Sequence, residues 1–126
     1  MKSFALVAAG GAAGTLCRYG TLAVLDTDQL FPLATFVVNV AGSFVLGALL
    51  ATLLVRDHSV PANRLRLLLG TGFLGGFTTY SALAVETDAL LRSDHGALGL
   101  AYALSTVAAG LLAALAGVAT ARTVVR

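Results

Sequence analysis

Long apolar runs separated by short polar ones organise this chain. Four stretches, near residues 4–25, 33–55, 66–91 and 97–121, carry few charges. Each is long enough for a hydrocarbon layer of about 30 Å at roughly 1.5 Å per helical residue. The pattern predicts four transmembrane helices in one domain, residues 1–126. The connections between them, LDTDQLFP with Asp26, Asp28 and Pro32, RDHSVPANR with Pro61, and RSDHG ending in Gly96, are short. Short connections make neighbouring helices antiparallel.

One stretch disturbs the pattern. GFLGGFTTYS, residues 72–81, places two adjacent glycines and three hydroxyls in the middle of the third run. Glycine is the weakest helix former after proline, and Gly70, Gly72, Gly75 and Gly76 together predict a break at the Gly75–Gly76 pair. Non-helical backbone at membrane depth persists only where protein or a water-filled cavity satisfies it. Carbonyls released between Gly75 and Thr78 would suit a hard monovalent cation; a glycine-rich kink with no ligand reads the residues equally well. Gly10 and Gly14 sit four apart, as do Asn39 and Ser43, and Gly110 precedes Gly117. These small residues let helix backbones approach where lipid provides no hydrophobic drive between helices. A bundle so thin leaves little interior, so an aqueous path calls for a second subunit.

Composition sharpens the class. Of 126 residues, 58% are hydrophobic and 11% charged, against roughly 25% charged in soluble domains; an integral membrane protein is the reading. The net charge is +2 and its cations are scattered, with no basic stripe for a nucleic acid. Cys17 is the single cysteine, which excludes an internal disulfide and reads as a small packing residue. The start, MKSFALVAAGGAAG, imitates a secretory leader, but the apolar pattern continues to Leu25 and reads as a span. Lys2, Arg56, Arg64, Arg66, Arg122 and Arg126 fall on one side of the predicted topology, and Arg92 alone lies in a loop on the other, beside Asp26, Asp28 and Asp94. Positive loops stay cytoplasmic, so both termini are expected there.

Polar groups within the spans carry the candidate chemistry. Arg18 and Glu86 both fall in the outer half, as an ion pair or as two groups that snorkel separately. Asn39 brings two donors and an acceptor to membrane depth, either as interhelical glue or as a donor to a passing anion. In the fourth span Tyr102 and Thr106 share a helical face with Ser105 beside them; such hydroxyls usually bond back to the carbonyl four residues earlier.

These residues resemble the CrcB, or Fluc, family of small bacterial fluoride channels. GGAAGTLCRYG is similar to the family's first-helix signature, ATFVVNVAGSFVLG to its second and GFLGGFTTYSALAVE to its third. The resemblance covers nearly the whole chain. It implies an all-α antiparallel dimer with the third helices broken and a structural Na+ between the breaks, held here by the backbone carbonyls of Gly75 and Thr78. It also implies a fluoride path along Asn39, Thr79, Tyr80, Ser81, Leu83, Tyr102, Ser105 and Thr106, with Arg18 and Glu86 as vestibule groups or an ion pair. Gly110 stands where a hydroxyl is usual. Family members carry phenylalanine where this chain has Tyr80 and Leu83; a phenyl edge is the positive rim of the ring, and Leu83 has none. A pore that relied on residue 83 would conduct poorly.

The expected function is passive export of cytoplasmic fluoride across the bacterial inner membrane. Six cations against one predicts a single orientation, so an antiparallel dimer would need an oppositely oriented relative rather than a second copy. Two other classes stand beside it. A non-conducting structural half of such a pair fits Leu83. A small four-helix proton-coupled exporter needs a carboxylate in the first span, where this chain has Arg18. An enzyme is not expected, since His58 and His95 lie in loops without catalytic spacing.

Overall fold

The structure, a computed structural model, describes residues 2–25, 29–56 and 60–124. Asp26, Asp28, His58 and Arg126 lie outside the described residues. Helices account for nearly everything within them. Helix α1 spans Lys2–Leu25 and α2 spans Leu33–Arg56, each 24 residues; at 1.5 Å per residue each is about 36 Å long. The third segment is composite. It starts with α3, Val60–Leu65, widens into a π-helix over Arg66–Leu74, and returns to α-geometry in α4, Gly75–Phe77. After two extended residues it resumes as α5, Tyr80–Arg92. The last helix, α6, covers Gly96–Val124.

One boundary differs clearly from the sequence reading. The third segment begins at Val60 rather than near residue 66. Pro61 punctuates the polar connection in sequence, yet it occupies the first turn of α3, where its missing N–H has no helical partner to lose. Among the described residues three stretches are long and apolar enough to cross a membrane, Leu33–Leu53, Val60–Arg92 and Gly96–Thr123. The predicted first span is not among them. Its helix has the length, but its glycines, Arg18 and Tyr19 dilute the apolar run.

Packing divides the molecule in two. Helix α1 lies against the π-helix and α4, and makes almost no contact with α5; α2 packs chiefly along α6, and α5 also leans on α6. At the first crossing the backbones meet directly. A Cβ on Gly14 would strike the Phe73 carbonyl, and one on Gly76 would strike the Gly11 carbonyl. Gly47 and Gly117 allow the same closeness between α2 and α6. The apolar core is small, centred on Leu83, Leu90 and a fully buried Tyr102. Large apolar side chains instead point outward all round, among them Phe4, Leu16, Tyr19, Val24, Leu104, Val107, Leu111 and Leu112. A water-soluble bundle would bury these; lipid or a partner subunit accepts them.

Candidate functional site

The interruption of the third segment is real, and it lies after the glycines. Gly75 has helical dihedrals, φ −64° and ψ −33°, and Thr78 N–H still bonds the Leu74 carbonyl at 2.9 Å. The chain straightens at Thr78 (φ −73°, ψ 157°) and Thr79 (φ −146°, ψ 117°). The partner for the opened backbone comes from α2. Asn39 Oδ1 accepts the Thr79 N–H at 2.8 Å and Asn39 Nδ2 donates to the Thr79 carbonyl at 3.0 Å. One side-chain amide thus pairs both main-chain groups of one residue, as a neighbouring strand would. The Thr79 hydroxyl then caps α5, accepting the Ala82 N–H at 3.1 Å, and it lies 3.1 Å from the Ser81 hydroxyl. A threonine cap of this kind contributes about 1 kcal/mol to helix stability.

These bonds release carbonyls. In a continuous helix Thr79 N–H would bond Gly75 O and Ala82 N–H would bond Thr78 O; here both donors go to side chains instead. Among the described residues no three His, Cys, Asp or Glu side chains gather as a metal site. Gly75 O and Thr78 O, as released main-chain oxygens, have the hard donor chemistry for a monovalent cation. Gly75 is exposed, with nothing within 4 Å of where a Cβ would stand.

Beside the break runs a groove of about 390 Å³ between α2, α5 and α6, lined by Asn39, Ser43, Leu46, Thr78, Thr79, Tyr80, Leu83, Thr106, Val107, Gly110, Leu111 and Ala114. It gathers five of the sequence-predicted path residues: Asn39, Thr79, Tyr80, Leu83 and Thr106. The other three, Ser81, Tyr102 and Ser105, lie off it. Several hydroxyls are already committed. Thr106 donates to the Tyr102 carbonyl at 2.7 Å, Ser105 to the same carbonyl at 3.1 Å and Thr78 to Leu74 O at 2.8 Å. Three donors remain for a ligand in the groove: the second N–H of Asn39 and the hydroxyls of Ser43 and Tyr80, neither of which has a hydrogen-bond partner among the described residues. The sequence reading left Ser43 out of the path; its signal was the four-residue spacing from Asn39, which sets both on one face. Tyr80, 82% exposed, stands at the groove's mouth.

A second polar cluster forms between the start of α2, α5 and α6. Glu86 Oε1 accepts from the Thr35 hydroxyl at 2.8 Å and Oε2 from the Tyr102 hydroxyl at 2.6 Å. The edge of Phe31 meets the Tyr102 ring, centroids 5.3 Å apart at 86°. Of the two readings of Arg18 and Glu86, the ion pair is not formed among the described residues. Two hydroxyls satisfy the carboxylate, and α1 turns its face to the π-helix rather than to α5. Among the described residues the one ion pair is Arg92–Asp88, 2.7 Å, near the end of α5. Cys17, read from the sequence as small buried packing, is instead a free, exposed thiol.

Together these features define a class: an apolar helical bundle with one interrupted membrane segment and a donor-lined groove beside the interruption. Residues 5–118 match the sequence model of a family described as CrcB-like protein, Camphor Resistance (CrcB). The chain belongs to the CrcB family, as its three motifs led one to expect. It is 47% identical over 119 residues to the fluoride-specific ion channel FluC 2 of Leifsonia xyli subsp. xyli (strain CTCB07), covering 94% of this chain and 82% of that one. To the fluoride-specific ion channel FluC of Deinococcus radiodurans it is 44% identical over 114 residues, 88% of each. To the protein of that name from Rhizobium meliloti (strain 1021) it is 39% identical over 127 residues, 99% of this chain and all of the relative. A multi-pass membrane protein follows from family and helices alike.

Proposed function

We propose that this chain is a subunit of a passive, fluoride-selective channel and not an enzyme. The observation that carries the reading is the groove beside Asn39. Its free polar groups are the Asn39 N–H and the Ser43 and Tyr80 hydroxyls, no ionised side chain lines it, and its remaining lining is apolar side chains and threonines. Neutral donors replace an anion's water without holding it as a fixed charge would, and conduction needs binding weak enough to release. The names of the relatives supply fluoride as the anion. Fluoride then leaves the cell down its electrochemical gradient, aided by an inside-negative potential, with no ATP site or redox group required.

The finer reading concerns assembly and orientation. Six cations against one support a single insertion in the inner membrane with both termini cytoplasmic. The exposed Gly75 and the bare carbonyls of Gly75 and Thr78 then suit a contact with an oppositely oriented relative. A Na+ ion there would take those two oxygens as ligands and offset the repulsion of two facing breaks. Leu83, without an aromatic edge, favours one alternative: that this chain is the non-conducting half of such a pair.

Fluoride efflux from liposomes tests the reading, with this chain alone and then with a co-expressed relative from the same genome. The expected result is little efflux alone and rapid efflux from the pair, abolished by N39L. Robust efflux from the pure chain would refute the obligate partner; none from either preparation would refute the channel.

A further inference from the structure

The first turns of the third segment stand clear of the bundle. Helix α3 touches little besides the π-helix that continues it, with Val60 65% and Leu65 41% exposed. Arg64, in its last turn, is exposed, and Arg66, half-buried, opens the π-helix. Arg122 is exposed in the last turn of α6. These three arginines share one end of the molecule. Gly110 adjoins Ser43 and Gly117 adjoins Ala48, so α2 and α6 run in the same direction. Helix α2 ends at Arg56, just before the third segment begins at Val60.

Their depth follows from the apolar stretches. The midpoints of Leu33–Leu53, Val60–Arg92 and Gly96–Thr123 fall near Ser43, Gly76 and Gly110. At helical rise Arg66 and Arg64 lie about 15 and 18 Å before Gly76, and Arg122 lies about 18 Å past Gly110. Hydrocarbon gives way to headgroups about 15 Å from its centre, so the arginines stand where lipid phosphates begin. No carboxylate meets them there. Among the described residues the acids are Glu86, Asp88 and Asp94, all beyond the break, and none of the three arginines has an ion-pair partner. Asp57 lies outside the described residues. Arg92, toward the opposite end, is by contrast paired with Asp88.

We infer that this arginine-bearing end is a docking surface for anionic phospholipid headgroups, which hold the third segment where it enters the bilayer. A guanidinium offers a phosphodiester two parallel N–H donors, and exposed Val60 and Leu65 give the adjoining acyl chain apolar contact. A zwitterionic headgroup carries its own cation and gains less from the arginines. The inference goes beyond the channel reading and stands whichever anion crosses.

Electron spin resonance of spin-labelled lipids tests it, with the full chain reconstituted in vesicles of phosphatidylcholine. The measurement compares association of labelled phosphatidylglycerol and labelled phosphatidylcholine with the protein surface. Wild type is expected to favour phosphatidylglycerol by about fivefold at low salt, and high salt should erase most of that preference. R64Q/R66Q/R122Q should lose most of it. R64Q alone, a change on the exposed arm, should lose part, and carries the test if the triple variant cannot be recovered folded. D88N/R92Q, which removes one charge of each sign at the other end, should keep the wild-type ratio. Inorganic phosphate at matched ionic strength should leave the ratio unchanged. No preference in wild type, an unchanged ratio in the Arg64 variants, or an equal loss in D88N/R92Q would overturn the inference. Displacement of the labelled lipid by phosphate would assign the arginines to a free anion and overturn it too.

Discussion

Two stretches of the third segment, a few residues apart, bring bare backbone into contact with a neighbouring helix, and they do so by opposite means. Along Gly72–Gly76 the chain stays helical, and Gly72 and Gly76 exist for closeness: main chain of α1 fills the space a Cβ would need. At Thr78–Thr79 no glycine is present, the helix opens, and a side chain from α2 closes the exposed groups. Glycine therefore permits approach here, while asparagine permits interruption. In lipid each device is compulsory, because the alternatives are a void or an unpaired amide.

Breaking the close approach should have the larger effect. G76A or G14A puts a methyl against a main-chain carbonyl, which cannot swing aside as a flexible side chain can. Overpacking of this kind costs about 1–3 kcal/mol, enough to lower thermal stability in detergent and the yield of folded protein. Removing the amide at the break comes next. N39L leaves the Thr79 N–H and C=O without partners, at about 1–3 kcal/mol for a buried polar group. Unlike the glycine variants, it should abolish efflux even in the fraction that stays folded, which liposome flux on the purified variant would show.

A smaller effect is expected outward of the break. E86Q keeps both oxygen and nitrogen near Thr35 and Tyr102 but removes the charge from two charge-assisted bonds, a loss of about 1 kcal/mol, read as a modest fall in melting temperature. The smallest effect on the isolated chain belongs to Gly75. No atom stands within 4 Å of its missing Cβ, so G75A should leave monomer stability within about 0.5 kcal/mol. If the break faces a partner, the same change should lower the dimer fraction, measurable by crosslinking or by single-molecule photobleaching in membranes. A G75A that dimerises like wild type would place the contact elsewhere.

Much of this architecture was readable along the chain, and the errors have identifiable causes. The helices announce themselves because lipid leaves the backbone no other local solution. The break was legible as an event in residues 72–81, from glycine and hydroxyl content, but was expected at the glycine pair. Propensity is a local quantity, whereas the interruption is fixed by Asn39, forty positions earlier, taking the Thr79 main chain. Glu86 was recognised as needing a partner; that the partners are Thr35 and Tyr102, and not Arg18, depends on which helices adjoin. Ser43 was read only as a small packing residue because its hydroxyl matters only once the break is seated beside it.

By itself, the sequence determined the membrane class, the helical segments and the family, since burial in lipid and motif order are properties of the chain read in line. Tertiary structure alone decided which donors stay free and which carbonyls are bared. Those outcomes depend on hydrogen bonds between distant residues, and only assembled helices say which groups have already found a partner.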